Sequence, residues 1–131
     1  TLAYTLGRFR FDNDPVYGNA SIPGIPEQYL RAKLDYAHPT GWTVSPNLEY
    51  VPQGYFVDLR NTFGSDPYTL LGLNVSYKAS NTLRFFVDAR NLTNKTYAAT
   101  TGVIINAAGA DTAQFAPGEG RSVFAGVEIK W

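Results

Sequence analysis

The fold is decided by the stretch RSVFAGVEIKW (residues 121–131), in which two kinds of position alternate. Every second position from Val123 to Trp131 is apolar, whereas the positions between them are mixed and include Glu128 and Lys130. Successive side chains of a β-strand point to opposite faces, so this pattern predicts a strand with different surroundings on its two sides.

Four further segments show the same alternation, and each is about ten residues long. They span residues 28–37, 42–51, 67–78 and 82–91. A sixth strand over roughly residues 1–11 has no clean parity, so its faces stay unassigned. A tilted strand needs about 9 to 11 residues to cross a bilayer, while strands of soluble proteins usually have about five or six. The lengths therefore favour membrane-crossing strands.

The connections between these segments alternate between short and long. His38–Gly41 and residues 79–81 are tight turns, whereas residues 12–27, 52–66 and 92–120 form longer connections. Short turns on one side and long loops on the other are typical of outer-membrane barrels. The sequence thus predicts an all-β fold: an antiparallel transmembrane β-barrel segment of about six strands, with short periplasmic turns and long external loops.

Aromatic residues on the apolar face support this interpretation. Four of them lie at the end that carries the short turns: Tyr36, Trp42, Tyr77 and Trp131. Such rings prefer the headgroup level of a bilayer, where the ring is buried and its O–H or N–H stays hydrated. We therefore expect these four residues to face lipid as an aromatic girdle.

The opposite face of the predicted strands carries most of their charge. Its charged residues are Arg31, Lys33, Asp35, Glu49, Lys78, Arg84, Asp88, Arg90, Glu128 and Lys130. In a barrel they point into the lumen, where neighbouring strands bring opposite charges within reach of one another. Two roles are open: some line a ligand path or contact an internal plug, or they form a solvated ladder that neutralises itself.

Composition excludes several other classes of protein. The 131 residues include eleven basic and eleven acidic side chains, and this zero net charge argues against a nucleic-acid binder. Cysteine is absent and His38 is the single histidine, which excludes disulfides, thiolate zinc sites and clusters of several histidines. No catalytic constellation or metal-ligand spacing is found, so we expect neither an enzyme nor a bound metal or cofactor.

Several stretches resemble one known family. VDARNLTNKTY (87–97) resembles the "v-x-N-L-x-[DN]-K-x-Y" stretch near the end of TonB-dependent outer-membrane receptors. PGEGRSVFAGV (117–127) is similar to the family's "P-G-x-G-R-s-v-x-a-G" closing segment, and IPGIP (22–26) resembles its "l-P-g-v-P" loop. The terminal Trp131, with apolar residues at every second position before it, resembles the signal read by the barrel-assembly machinery. The resemblance covers essentially the whole chain.

This resemblance implies that residues 1–131 are the C-terminal barrel segment of a receptor with about 22 strands. Such a receptor lies in the outer membrane of a Gram-negative-type bacterium and imports ferric siderophores, cobalamin or related scarce nutrients. The plug domain and the earlier strands are not in this sequence, which begins at Thr1 without an initiator methionine. We therefore expect a processed or partial product. Its partners would be outer-membrane lipid, further chain or subunits that close the sheet, and the TonB system through the plug.

Ligand contacts are expected in the long loops, because external loops of a receptor capture ligand. The candidate residues are Tyr55, Phe56, Asp58, Arg60 and Tyr97. Packing of one loop against another is the alternative role for each of them.

Two other functions remain open at this stage. The chain could be a structural β-barrel subunit of a larger membrane assembly, without any role in transport. It could also be a soluble β-sandwich module that binds carbohydrate through exposed Tyr55, Phe56 or Tyr97. Solubility as a monomer without detergent would favour the sandwich.

The alternation makes a prediction about lipid exposure. Spin labels at Leu34, Val75, Phe85 and Val127 of the protein in lipid should be shielded from aqueous relaxation agents, because all four positions belong to the apolar set. Electron paramagnetic resonance measures this directly. Labels that are fully accessible to water would contradict the membrane interpretation.

Overall fold

The computed structural model describes residues 1–131 and contains nine β-strands. They are β1 (Leu2–Leu6), β2 (Gln28–Lys33), β3 (Tyr36–Ala37), β4 (Trp42–Val51), β5 (Tyr68–Lys78), β6 (Leu83–Arg90), β7 (Ala98–Thr101), β8 (Phe115–Pro117) and β9 (Ser122–Ile129). No helix is long and apolar enough to cross a membrane.

Six strands form one antiparallel up-and-down sheet in the order β1-β2-β4-β5-β6-β9, and β3 pairs with β4. The predicted all-β, antiparallel arrangement of about six strands is confirmed. β7 and β8 form a separate hairpin within the long connection from β6 to β9. The sequence pattern predicts only a loop there, because strands of four and three residues are too short to show a period of two.

The predicted strand over residues 28–37 is divided into β2 and β3 by a proline on the facing strand. Pairing with β4 keeps the same register on both sides of the gap. The N–H of Leu34 donates to the carbonyl of Pro46 at 3.1 Å, but Pro46 has no N–H with which to donate in return. The break is therefore the loss of one ladder hydrogen bond and not a change of direction.

Register places the apolar residues of neighbouring strands on one face of the sheet. Val75 lies opposite Val44 and Val87, and Val87 lies opposite Ala125. This face is open: Val87 is 43% exposed and Val127 is 54% exposed. A β-sandwich would bury such a face under a second sheet, so the sandwich alternative is wrong.

Pairing also assigns the faces of β1, which the sequence left open. Tyr4 lies opposite Leu30 on the apolar face, and Leu2 and Leu6 share its parity. The strand ends at Leu6 rather than near residue 11, so the predicted parity was blurred by loop residues that follow it.

The other face of the sheet is polar and joins opposite charges across strands. Arg31 lies opposite Glu49, and Arg84 lies opposite Glu128. Asp35, between β2 and β3, reaches the same face because its carboxylate accepts a hydrogen bond from Ser45 at 2.6 Å. The sheet stays open, with one free edge on β1 and one on β9.

The two faces predict unequal losses of stability for the same substitution at adjacent positions of β5. Leu73 belongs to the apolar face and Asn74 to the polar face, opposite Asp88. In the assembled barrel in lipid vesicles, Leu73→Arg should lower the free energy of unfolding by about 2 to 4 kcal/mol, the range for Arg near a bilayer midplane. Asn74→Arg should lower it by less than about 1 kcal/mol, because an exposed pair with Asp88 is within reach. Reversible urea unfolding measures both, and equal losses would contradict the assignment of faces.

Candidate functional site

Three long loops emerge from the end of the sheet opposite the short turns. Loop A connects β1 to β2 (residues 7–27), loop B connects β4 to β5 (residues 52–67), and loop C connects β6 to β9 (residues 91–121). The candidate ligand contacts all lie in loops B and C. The geometry of this end therefore decides which of them can meet a ligand.

Asp58 of loop B is a hub for hydrogen bonds between the loops. Its side chain is fully buried. One carboxylate oxygen accepts from the N–H groups of Thr62 and Phe63 at 2.9 and 3.1 Å. The other accepts from the Thr62 hydroxyl at 2.8 Å and from the N–H of Ala107 in loop C at 3.2 Å. The carboxylate thus closes loop B on itself and fastens loop C to it.

Backbone and amide contacts extend this hub to all three loops. The N–H of Leu59 donates to the carbonyl of Ile104 in loop C at 3.0 Å. The amide of Asn61 exchanges two hydrogen bonds with the backbone of Ser21 in loop A, at 2.6 and 2.9 Å. The three loops are consequently one interlocked unit.

This geometry favours the second of the two roles expected for Asp58, the packing of one loop against another. Burial by itself would raise the pKa of Asp58, but the hydrogen bonds from Thr62, Phe63 and Ala107 outweigh burial and lower the pKa below its ordinary value of 3.8. The carboxylate is ionised, enclosed and already engaged by four donors. Its role in this structure is to join the loops.

The polar face forms a small cleft of about 170 Å³ beneath loop C. Glu49 lines it and accepts hydrogen bonds from the hydroxyl of Tyr68 at 3.0 Å and from the guanidinium of Arg31 at 3.1 Å. Tyr97 also lines it, and its ring lies 5.0 Å from that of Tyr68. We call this region the outer cleft.

Arg90 and Glu119 line the other side of the outer cleft. Arg90 pairs with Asp88 at 2.8 Å and with Glu119 of loop C at 3.9 Å. Its guanidinium also lies 5.0 Å from the ring centre of Phe124. The predicted polar-face residues Glu49 and Arg90 therefore line one cleft with the predicted contact Tyr97, and Asp88 is paired with Arg90.

The remaining candidates of loop B lie apart from the outer cleft. Tyr55 is half-buried, and burial raises the pKa of its hydroxyl while a hydrogen bond with Thr101 lowers it less strongly. Phe56 is 37% exposed. Arg60 is exposed and forms no ion pair.

Asn91, which the sequence analysis did not single out as a site residue, fastens the base of loop C. It is buried with a positive φ of 46°. Its side-chain oxygen accepts from the N–H of Lys95 at 2.8 Å, and its amide donates to the carbonyls of Lys95 and Glu119 at 2.9 Å each. Asn tolerates this left-handed conformation better than other residues with a side chain. Its place at the end of an alternating strand, within the stretch 87–97, is the pattern that could have identified it.

Comparison with known protein families identifies the family to which this sheet belongs. A family model described as "TonB dependent receptor-like, beta-barrel" matches residues 1–92. The chain belongs to this family of receptor barrels.

A solved receptor barrel of this family type shows the same fold. The chain is similar to the ferric-catecholate import receptor Fiu from Escherichia coli K12 in its closed form, with a TM-score of 0.74 and 19% sequence identity. The match covers 96% of this chain and 18% of that chain, so the chain spans about a fifth of the length of that receptor. A comparison with curated proteins gave no match.

The apolar face of this receptor barrel segment has aromatic residues at both ends. At the short-turn end Trp42 and Tyr77 lie directly opposite each other, with ring centres 4.8 Å apart. At the loop end Tyr4 and Tyr50 are exposed on the same face, a second row that the sequence pattern did not predict. Trp42 and Tyr50 are eight residues apart, about 27 Å along a strand and about 20 Å after a tilt of about 40°. That height is close to the apolar band of about 25 Å in outer-membrane barrels.

The other two predicted girdle residues, Tyr36 and Trp131, also lie at the short-turn end. Tyr36 in β3 is 59% exposed and lies opposite Val44 of the apolar face. Trp131 follows β9 and is fully exposed.

The hub predicts that Asp58→Asn opens the loops of the receptor barrel locally. The amide that replaces one carboxylate oxygen is a donor that faces other donors, which costs about 1 to 3 kcal/mol. Hydrogen exchange at the Phe63 and Ala107 amides should therefore accelerate at least about fivefold. Mass spectrometry of the assembled receptor measures this.

Asp66→Asn is the matched control, because Asp66 is an exposed carboxylate of the same loop, and it should leave the exchange unchanged. The lowered pKa of Asp58 means that its contribution is complete above pH 3.8 and declines only as the pH falls further, through the lowered value. Unchanged exchange in Asp58→Asn at neutral pH would contradict the hub.

Proposed function

We propose that the chain forms part of the wall and the external loops of a receptor that imports ferric siderophores or a similar scarce nutrient across the outer membrane. The observation that carries this proposal is the single-layer sheet with an exposed apolar face, a charged opposite face and three interlocked loops at one end. Such a sheet suits a boundary between lipid and a hydrated lumen. Transport, not catalysis, is the activity we assign to it.

The iron-chelate part of the proposal is supported by chemistry at the loop end. The similar structure is that of a ferric-catecholate import receptor. Ferric catecholates are anionic and aromatic, and the loop end presents the exposed guanidinium of Arg60 and the ring of Tyr97. A guanidinium suits such a ligand by its charge, and an aromatic ring suits it by stacking.

The energy for import would come from TonB acting on a plug domain in the complete receptor. This chain contributes the surface against which a plug lies, namely the polar face of β2, β4, β5, β6 and β9. The further strands that cover the free edges of β1 and β9 belong to the same barrel.

Uptake by the complete receptor tests the proposal. Expressed in a strain that lacks its own siderophore and cobalamin receptors, it should support TonB-dependent accumulation of a labelled ferric siderophore or of labelled cobalamin. A folded receptor that imports neither would favour the structural subunit and contradict the proposal.

Arg60→Ala tests the role of the loop end in that assay. Loss of a charge-assisted contact should raise the half-saturating concentration about tenfold while the maximal uptake is retained. Arg8→Ala is the matched control, since Arg8 is an exposed arginine of loop A that also forms no ion pair. An equal effect of both variants would assign the change to the net charge of the loops.

A further inference from the structure

Gly118 lies directly against the ring of Tyr97 at the base of loop C. The N–H of Gly118 donates to the carbonyl of Tyr97 at 2.8 Å, one step beyond the pairing of Ala98 with Pro117. A Cβ atom at position 118 would overlap the outer half of the Tyr97 ring, at Cζ, Cε1 and Cε2. Gly118 is not among the residues with positive φ, so a left-handed backbone does not explain the glycine. The close approach of the ring is what requires it.

The backbone on both sides of this contact is held by hydrogen bonds. The amide of Asn91 donates to the carbonyl of Glu119 at 2.9 Å, and the N–H of Arg121 donates to the side-chain oxygen of Asn94 at 3.0 Å. These bonds tie the segment before β7 to the segment after β8. A methyl group added to the glycine is therefore accommodated most easily by the tyrosine ring, which is the free end of a side chain that rotates about two bonds.

The ring of Tyr97 forms part of the wall of the outer cleft. Its centre lies 5.0 Å from the ring centre of Tyr68, and the hydroxyl of Tyr68 is held by Glu49 at 3.0 Å. The position of the Tyr97 ring is thus set by its contacts with Tyr68 and Gly118. Gly118 itself does not line the cleft.

The charged groups that line the outer cleft already have partners. They are Glu49, which pairs with Arg31, and Arg90 and Glu119, which pair with each other. The volume of about 170 Å³ is close to the volume of an engineered cavity, about 150 Å³, that binds benzene. The cleft has room for one ring and offers it no unpaired charge, so stacking on an aromatic wall is its main means of holding a ligand.

We propose that Gly118 is a positioning residue for nutrient binding: the absence of a side chain there holds the Tyr97 ring where the outer cleft takes up one uncharged, ring-shaped part of the nutrient. The inference rests on the proposed function, because that function supplies the nutrient. Gly118 acts through Tyr97 and touches no ligand itself. A purely structural glycine would place the cost of its substitution in folding and not in the affinity for the nutrient.

Uptake kinetics of the complete receptor test this role, with a labelled ferric siderophore and labelled cobalamin as the probes. Gly118→Ala should raise the half-saturating concentration about fivefold, as expected for the loss of one aromatic contact, and retain the maximal rate. Tyr97→Ala should raise it by the same factor. The double variant Gly118→Ala, Tyr97→Ala should raise it no further, because both substitutions remove the same contact.

Gly120→Ala is the matched control. Gly120 belongs to the same segment, but a Cβ atom there would lie 3.5 Å from the side-chain oxygen of Asn94, an ordinary contact. The half-saturating concentration should not change. Heat-dependent gel mobility verifies that each variant is folded. If Gly118→Ala alone does not fold, the double variant with Tyr97→Ala should fold, because the ring that the methyl group overlaps is gone; failure of both would overturn the inference.

The position of the ring is measured without any ligand. Fluorotyrosine at position 97 of the complete receptor gives one fluorine NMR signal, which should shift in Gly118→Ala and stay in place in Gly120→Ala. An unmoved signal in Gly118→Ala would overturn the inference. Effects of Gly118→Ala and Tyr97→Ala on uptake that simply add would overturn it too.

The uptake and NMR measurements separate this inference from the proposed function. A receptor that imports its nutrient with an unchanged half-saturating concentration in Gly118→Ala overturns the inference alone. A receptor that imports neither probe overturns the proposed function, and a fluorine signal that shifts only in Gly118→Ala then still supports the positioning of Tyr97 by Gly118.

Discussion

The pairing of backbone polar groups is the constraint on which the rest of this structure depends. The hydrocarbon core of a bilayer offers no water to an unpaired N–H or C=O, so membrane-crossing strands must bond to neighbours along their length. Neighbouring strands are paired from β1 to β9, and Pro46 cannot supply the return donor to the backbone of Leu34. The free edges of β1 and β9 are the exceptions that require further strands. These free edges indicate that the chain is a segment of a barrel wall and not an independent domain.

The same constraint explains why hydrophobic burial contributes so little within the chain. Only ten residues are buried, and the apolar ones are Val51, Val57 and Ala107 at the loop end. Most large apolar side chains of the strands lie on the apolar face, where lipid replaces a protein core; Phe86 and Phe124 lie on the polar face. Backbone ladders hold the sheet together, with 36 of 61 backbone hydrogen bonds inside strands. Loops A, B and C, which have neither lipid nor long ladders, depend on polar hubs such as Asp58 and Asn91.

The sequence predicted the strands that show a repeating pattern, and it missed the features that depend on contacts between different parts of the chain. A period of two over ten residues identified β4, β5, β6 and β9 and their faces, because register in a half-apolar strand is set by that pattern. It could not locate the gap between β2 and β3, which depends on a proline of the facing strand. Asp58 looked like a free loop carboxylate because its partners, Thr62 and Ala107, are four and 49 residues away in sequence. No local pattern reports that such groups meet.

The two kinds of stabilisation divide the molecule into a fixed part and a part that can respond to ligand. Opening the wall would break many ladder bonds together, whereas freeing the loops breaks the side-chain bonds of Asp58, Asn61 and Asn91 and a small number of backbone bonds between loops. Each such bond contributes about 0.5 to 3 kcal/mol, the larger values belonging to the charged carboxylate. A ligand shifts an equilibrium only by its differential affinity for the two states. The loops have fewer bonds to lose than the wall, so they are expected to rearrange at a smaller difference in affinity. Response to ligand in this fold is expected to begin at the hub and to leave the strands in register.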